Sequence, residues 1–284
     1  MAAARRRLAI MTVFLPRENL FFLDEWLRYH LAIGFGHVYL YDNSGSQFLD
    51  CGNNLEVTAR NKRGEEVYRL LAHLDDGGVA QELERVLAPF ERHGFVTRIR
   101  WQPRDASGRI TYGQVEAFLD YVRRFRKESE WTSFTDLDEF VVPVRYEGMP
   151  EVLDELTRRK VSYVRMPQRC FASRFDEGGK PVERVLEIAR CSDWSAPSFG
   201  PKAMIRNDTL RTRWSGRFDS IHTPAASGRA ADRLLEPGLL RFNHYKFTQW
   251  ELDWVARNLG YLLALDREDT SMGRFAPAMA ALDL

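Results

Sequence analysis

Three observations predict an α/β fold, a doubly wound Rossmann-like α/β/α domain around a mostly parallel central sheet. Short apolar runs alternate with amphipathic segments of helical period through the first half of the chain. The first strand, helix and strand fit within about 35 residues, the size of a βαβ unit with parallel strands. Polar, turn-rich stretches follow the first two strands, at the carboxyl ends where ligands of such sheets bind.

The elements follow in order. Leu8 to Leu15 is an apolar run of the kind buried on both faces of a sheet, and Pro16-Arg17-Glu18-Asn19 ends it. Apolar residues then recur at helical spacing from Leu20 to Ile33, with Gly34 as the cap. His37 to Tyr41 is a second strand, breaking into the turn residues Asp42-Asn43-Ser44-Gly45-Ser46. Short strands are expected at Leu55–Ala59 and Glu66–Leu70, a helix over Gln81–Phe90 and an alternating strand over Phe95–Trp101. Ile110 to Lys127 is strongly amphipathic and leads into a single expected strand, Phe134 to Pro143. A helix over Met149–Arg159 and a strand over Val161–Met166 come next, then a mobile loop from Phe171 to Pro201. Lys202–Arg206, Leu210–Trp214 and Leu239–Lys246 are strand-like, and Thr248–Leu265 is helical. The chain divides into two halves, 1–145 and 146–265, and a tail, 266–284, within one domain, 1–284. The tail is expected to be an arm or a partner-binding segment.

Composition excludes more than it assigns. The 284 residues carry a net charge of +1, which offers no general attraction to nucleic acid. Three scattered cysteines form neither a disulfide framework nor a zinc site, so a reducing, cytoplasmic setting is expected. Met1 to Arg7 lacks a following signal-peptide core, and no apolar run reaches the length of a span, leaving at most peripheral membrane contact.

Chemistry concentrates at Asp136-Leu137-Asp138-Glu139, three carboxylates inside an apolar run. Buried carboxylates are costly unless neutralised, and in an extended chain Asp136 and Asp138 share a side while Glu139 faces the other. A divalent cation between such a pair and a phosphate-bearing ligand would account for them, the ordinary alternative being a strand end facing water.

The residues from Glu25 to Phe35, His37 to Ser44, Asp136 to Phe140 and Asn243-His244-Tyr245, in that order, resemble family 92-like glycosyltransferases and their bacterial relatives in the family 2 superfamily. The resemblance implies a GT-A fold, a nucleotide-sugar-binding α/β sandwich with a D-x-D motif. It also implies a divalent metal, Mn2+ or Mg2+. The donor would be a nucleoside-diphosphate sugar, UDP foremost, and the acceptor a glycan, a lipid-linked intermediate or a small molecule. The resemblance implies that the first half, 1–145, binds the nucleotide sugar and the second, 146–265, the acceptor. On that likeness Asp138, Asp136 and His244 are candidate metal ligands, with Asp136 also on the ribose. Arg17, Glu18, Asp42, Gln114, Lys202 and His222 are candidate donor-site residues, Lys202 toward phosphate together with Arg206. An inverting transfer needs a general base, for which Asp219 and Asp193 are the candidates. Relatives carry Arg-Asn-Glu after the first strand, where this chain has Pro16-Arg17-Glu18-Asn19. The rival reading is an inactive GT-A protein that binds nucleotide or glycan. A nucleotidyltransferase would need a glycine-rich phosphate loop after the first strand, and the segment there has no glycine.

Overall fold

The computed structural model describes residues 6–44, 76–108, 110–174, 182–193, 200–210, 232–234, 237–247, 252–253, 255–257, 260 and 262–284. The strands expected at Leu55–Ala59 and Glu66–Leu70 lie outside these residues, as does all of Leu210–Trp214 but Leu210; of the expected helix Thr248–Leu265, residues 252–253 and 255–257 are helical and 262–265 are not.

β1 (Arg6–Phe14) passes into α1 (Pro16–Ala32), which returns the chain to β2 (His37–Asp42). α1 starts four residues earlier than its apolar spacing predicts, because Pro16 occupies the first helical turn, where a missing N–H costs nothing. Its far end closes as a Schellman turn: Gly34 N–H donates to Leu31 and Phe35 N–H to His30. Gly34 has φ +104°, and a Cβ there would meet Pro150 at 2.9 Å, so glycine is required twice over. α2 (Asp76–Arg92), β3 (Val96–Arg100), α3 (Gln114–Arg124) and β4 (Ser129–Phe134) complete the first half. β1, β2, β3 and β4 pair in parallel, so their carboxyl ends share one edge.

The alternation of side chains on β1 and β2 separates two cores. Leu8, Ile10, Phe14, Val38 and Leu40 pack with α1 and α2, while Ala9, Met11, Val13, Tyr39 and Tyr41 pack with α3.

The second half builds β5 (Glu139–Pro143), α4 (Met149–Arg158), β6 (Tyr163–Met166), β7 (Gln168–Ala172) and β8 (Arg190–Cys191). It continues through β9 (Lys202–Arg206), β10 (Asp232–Leu234), β11 (Leu240–Phe247), β12 (Arg267–Glu268) and a closing helix α5 (Ala276–Ala280). Two sheets result, seven-stranded β10-β6-β9-β4-β1-β2-β3 and five-stranded β12-β8-β7-β11-β5. The large sheet is mixed, because β9 runs antiparallel to both β4 and β6.

Two further expectations are corrected. The stretch 171–201 is not one loop: it holds the end of β7, a 3-10 turn at Val185–Glu187 and β8. The tail is not a free arm either. Met272 and Phe275 are buried in the α1 core, Phe275 lies edge-on to Tyr29, and Arg274 donates to the Pro143 carbonyl at 2.6 Å. Among the described residues no helix is long and apolar enough to cross a membrane.

Candidate metal and nucleotide site

The single strand expected over Phe134–Pro143 is broken where its acids lie. β4 ends at Phe134 in the seven-stranded sheet and β5 starts at Glu139 in the five-stranded one, so the chain changes sheets across residues 135–138. The break has a physical reason: acids within a buried ladder would go unpaired, whereas a turn lets backbone and side chains meet them. Asp136 N–H donates to Glu139 Oε2 at 3.0 Å, and Glu139 N–H donates back to the Asp136 carbonyl at 3.1 Å. Glu139 therefore turns inward and closes the loop. Its expected position on the opposite face is wrong, because period-two alternation fails outside a strand.

α1 holds this seam in place. β5 is an edge strand, and three α1 side chains take its outward backbone groups. Trp26 Nε1–H donates to the Glu139 carbonyl at 2.8 Å, Tyr29 O–H donates to Val141 at 2.8 Å, and His30 Nε2 accepts from Val141 N–H at 3.3 Å. Complete burial lowers the His30 imidazole to about 3, keeping it neutral for that acceptor role.

β11 supplies the other wall. It pairs antiparallel with β5 in a register that sets His244 opposite Glu139, and Tyr245 N–H donates to the Asp138 carbonyl at 2.9 Å. His244 Nε2 then lies 3.2 Å from Asp138 Oδ2, and its Nδ1 lies 4.0 Å from Glu139 Oε1. Asp138, Glu139 and His244 each present one donor atom within 4.8 Å of the others. Two carboxylates and an imidazole at that spacing suit a hard or borderline divalent ion, Mn2+ or Mg2+. The donor set thus fits the metal implied by the resemblance, with Glu139 in the group and Asp136 outside it.

Asp136 faces a different partner. Lys202, almost wholly buried at the start of β9, lies 2.5 Å from Asp136 Oδ2 and 3.2 Å from Glu139 Oε2. Gln114, at the first turn of α3, donates to Asp136 Oδ1 at 3.0 Å. Burial alone would pull the Lys202 ammonium down, but Asp136 and Glu139 outweigh it and hold it above the usual lysine value. Burial in the opposite sense carries Glu139 up to about 7. Asp138 goes down: burial would raise it, yet His244 beside it, helped by Arg174 and Lys246, holds it well below the ordinary carboxylate range.

The remaining candidates fall as follows. Lys202 meets the carboxylates rather than an open phosphate site, and Arg206, at the far end of β9, pairs with Asp208. Asp42, at the end of β2, has both oxygens engaged: Oδ1 accepts from Ser44 N–H and Oδ2 from Arg98 Nε. Its turn role holds, and a base or ribose would have to share those oxygens with Ser44 and Arg98. Arg17 and Glu18 lie in the first turn of α1, and their side chains are outside the described ones. Asp193 is half-exposed beside β8, ion-paired with Arg267 at 3.1 Å, two strands from β11. Asp219 and His222 lie outside the described residues.

Two participants escaped the sequence reading. The Gln168 carboxamide nitrogen on β7 sits 2.6 Å from His244 Nδ1. Arg174 is buried, stacks 4.5 Å over Phe22, and donates to the Leu137 carbonyl and to Asn19, both at 3.2 Å. Neither carries a local signal, since both contacts are long-range pairings between segments of unremarkable composition.

A family model described as glycosyltransferase family 92 matches residues 73–271, a span containing the carboxylate turn, β7, β9 and β11. A galactan β-1,4-galactosyltransferase of Arabidopsis thaliana is 30% identical over 120 residues, 39% of this chain and 24% of that protein. A glycosyltransferase family 92 protein of Oryza sativa subsp. japonica is 24% identical over 240 residues, 83% of this chain and 33% of that protein. The chain thus aligns with a third or less of the length of these curated relatives. Among solved structures, a UDP-glucose pyrophosphorylase from Acinetobacter baumanii superposes with a TM-score of 0.33 at 10% identity, covering 72% of this chain and 75% of that one. With well over half of its residues matched by one family model, and with the seam between its sheets inside the match, the chain belongs to glycosyltransferase family 92.

Proposed function

We propose that this chain is a divalent-cation-dependent glycosyltransferase of GT-A type. It moves a hexose or similar sugar from a nucleoside-diphosphate donor, UDP foremost, to a hydroxyl of a glycan, lipid-linked or small-molecule acceptor, with inversion. The observation that carries the reading is the grouping of Asp138, Glu139 and His244 at the carboxyl edge of parallel strands.

Those three residues would hold the cation, which supplies Lewis-acid neutralisation of the departing diphosphate. The chain's own contribution is positional. α1 and β11 fix the backbone of the turn from both sides, so the carboxylates need not reorganise as charge develops. Lys202 neutralises Asp136 from within the protein, leaving the surplus negative charge on the side of Asp138. Gln114 keeps Asp136 in place at the mouth of α3, where a ribose hydroxyl would meet it.

Thermal stability with a panel of nucleotides, with and without Mn2+, on the wild type and on Asp138→Ala tests the reading. A ligand that binds only the folded state raises the melting temperature by mass action. The expected result is a shift with one nucleoside diphosphate that needs Mn2+ and vanishes in the variant. No shift with any nucleotide at millimolar concentration would replace this reading with that of a binding protein for another ligand.

A further inference from the structure

We propose that Gln168 is the positioning residue that decides which nitrogen of His244 faces the cation, and that it does so by turning its carboxamide. The inference rests on the metal reading of Asp138, Glu139 and His244.

A neutral imidazole has one donor nitrogen and one acceptor nitrogen, and the group bonded to one decides the role of the other. In the ring of His244, Nε2 points to Asp138 Oδ2 at 3.2 Å and Nδ1 meets Gln168 at 2.6 Å. Gln168 presents its amide nitrogen, a donor, so Nδ1 accepts and the proton stands on Nε2, where it donates to Asp138. That arrangement satisfies both nitrogens while no cation is bound. It is also the wrong tautomer for coordination through Nε2, which needs the Nε2 lone pair free and the proton on Nδ1.

Only a partner able to act as donor in one state and acceptor in the other can serve both tautomers. A carboxamide does this by a half-turn about its last bond, exchanging N–H for C=O with little change of shape. Gln168 is well placed for such a role. It is 8% exposed, and it stands at the start of β7, which runs parallel to β11, with its backbone opposite Phe242. Three strands of one sheet, β7, β11 and β5, thus carry the orienting amide, the ring and one carboxylate side by side. The alternative, with Nδ1 turned to the cation, would give up the 2.6 Å contact with Gln168.

Two variants separate the inference from simple packing. Gln168→Leu removes both roles, and Gln168→Glu leaves an acceptor only, which enforces the proton on Nδ1. The first readout needs no metal: the ring 15N shifts of His244 in the metal-free full chain. They should report Nε2–H with an unprotonated Nδ1 in the wild type, and a protonated Nδ1 in Gln168→Glu, with Nε2 also protonated where Asp138 still accepts from it. The second is Mn2+ binding in the presence of UDP, followed by loss of the free-ion EPR signal. Gln168→Leu should bind Mn2+ about 10- to 100-fold more weakly than wild type, while Gln168→Glu stays within about threefold of wild type or binds more tightly.

Wild-type affinity in Gln168→Leu overturns the inference, as does a metal-free wild-type ring protonated on Nδ1. Equal weakening in both variants overturns it too, since shape alone would then explain the loss. His244→Ala separates the two levels of failure: lost binding there with unchanged binding in Gln168→Leu keeps the metal reading and removes the role of Gln168. A wild type that takes up no Mn2+ removes both.

Discussion

Two buried ionic clusters are built on β11, three residues apart, and they differ in sign and closure. Around Arg241, one acid meets two bases: Asp269 lies 2.7 Å from Arg241 and 2.6 Å from Arg169. Around His244, three acids face one lysine, with Arg174 binding the backbone of the turn. Each cluster is costly to desolvate; in the first, two guanidinium groups share one acid, whereas in the second Asp136 and Glu139 share one buried lysine. Asp269 is accordingly held below the ordinary carboxylate value: burial would raise it, and Ser271 and Arg241 reverse that. Glu139, in the second, is carried up to about 7 by burial. A cluster that ties the tail to the sheet can be closed. On the proposed reading, the second stays open to take up a cation.

The sharpest way to break this contrast is to remove the acid that stands beside His244. Asp138→Asn keeps the shape of the turn and deletes one unit of negative charge. Sugar transfer should fall on the order of 10³-fold or more, since metal neutralisation of a leaving group contributes several kcal/mol. The melting temperature without ligands should fall slightly, because His244, Arg174 and Lys246 favour the charged Asp138 in the folded chain. A variant that loses stability but retains transfer would make the cluster structural, like that of Asp269.

The contrast also marks what the sequence could disclose. β1, α1 and β2 were legible because burial on both faces and on one helix face leaves a period in the residues themselves. The acids at 136, 138 and 139 stood out because charges inside an apolar run violate the ordinary price of burial. Their geometry was hidden, since whether a chain continues as one strand or changes sheets depends on β11 and α1, more than a hundred residues away on either side. Glu139 was misplaced for that reason. Gln168 and Arg174 were invisible, because a glutamine and an arginine at a strand start and a loop have many ordinary uses. The block Trp26–His30 carries the family likeness without touching the candidate cation site: its aromatic and imidazole groups bond to the edge of β5.

The closed cluster should respond in the opposite way to the open one. Asp269→Ala leaves the guanidinium groups of Arg169 and Arg241 without their shared acid. It should cost about 3 kcal/mol, the lower end for breaking a buried pair. In a chain of this size that lowers the melting temperature by roughly 5–10 °C. Mn2+-dependent nucleotide binding should be unchanged once the variant is folded. Because the folded value of Asp269 is depressed, its contribution is present above the unfolded carboxylate value and is lost as pH falls below it. The difference in stability between wild type and variant should therefore shrink on acidification.

Lys202→Met removes the lysine that ion-pairs with Asp136 and Glu139. The loss should be smaller, about 2 kcal/mol, because Glu139 stands near neutrality already and can take up a proton in place of the lost ion pair. Here the two clusters part most clearly. Mn2+ with UDP should restore more stability to Lys202→Met than it adds to the wild type, since the cation replaces part of the missing charge. Equal stabilisation of both proteins would show that Lys202 and the cation act on separate groups.

The smallest expected effect concerns the frame shared by both functions of the seam. Trp26→Phe keeps the ring and removes one N–H, leaving the buried Glu139 carbonyl without its 2.8 Å donor. One lost hydrogen bond of this kind costs about 1 kcal/mol, and somewhat more when the acceptor stays buried. Denaturant unfolding should show that loss with an unchanged slope. Because that carbonyl belongs to the residue that closes the carboxylate turn, the affinity for Mn2+ should weaken as well, by a few-fold at most. A variant that loses stability with the cation affinity intact would mean that β11 alone fixes the turn, and that α1 serves only to cover the strand edge.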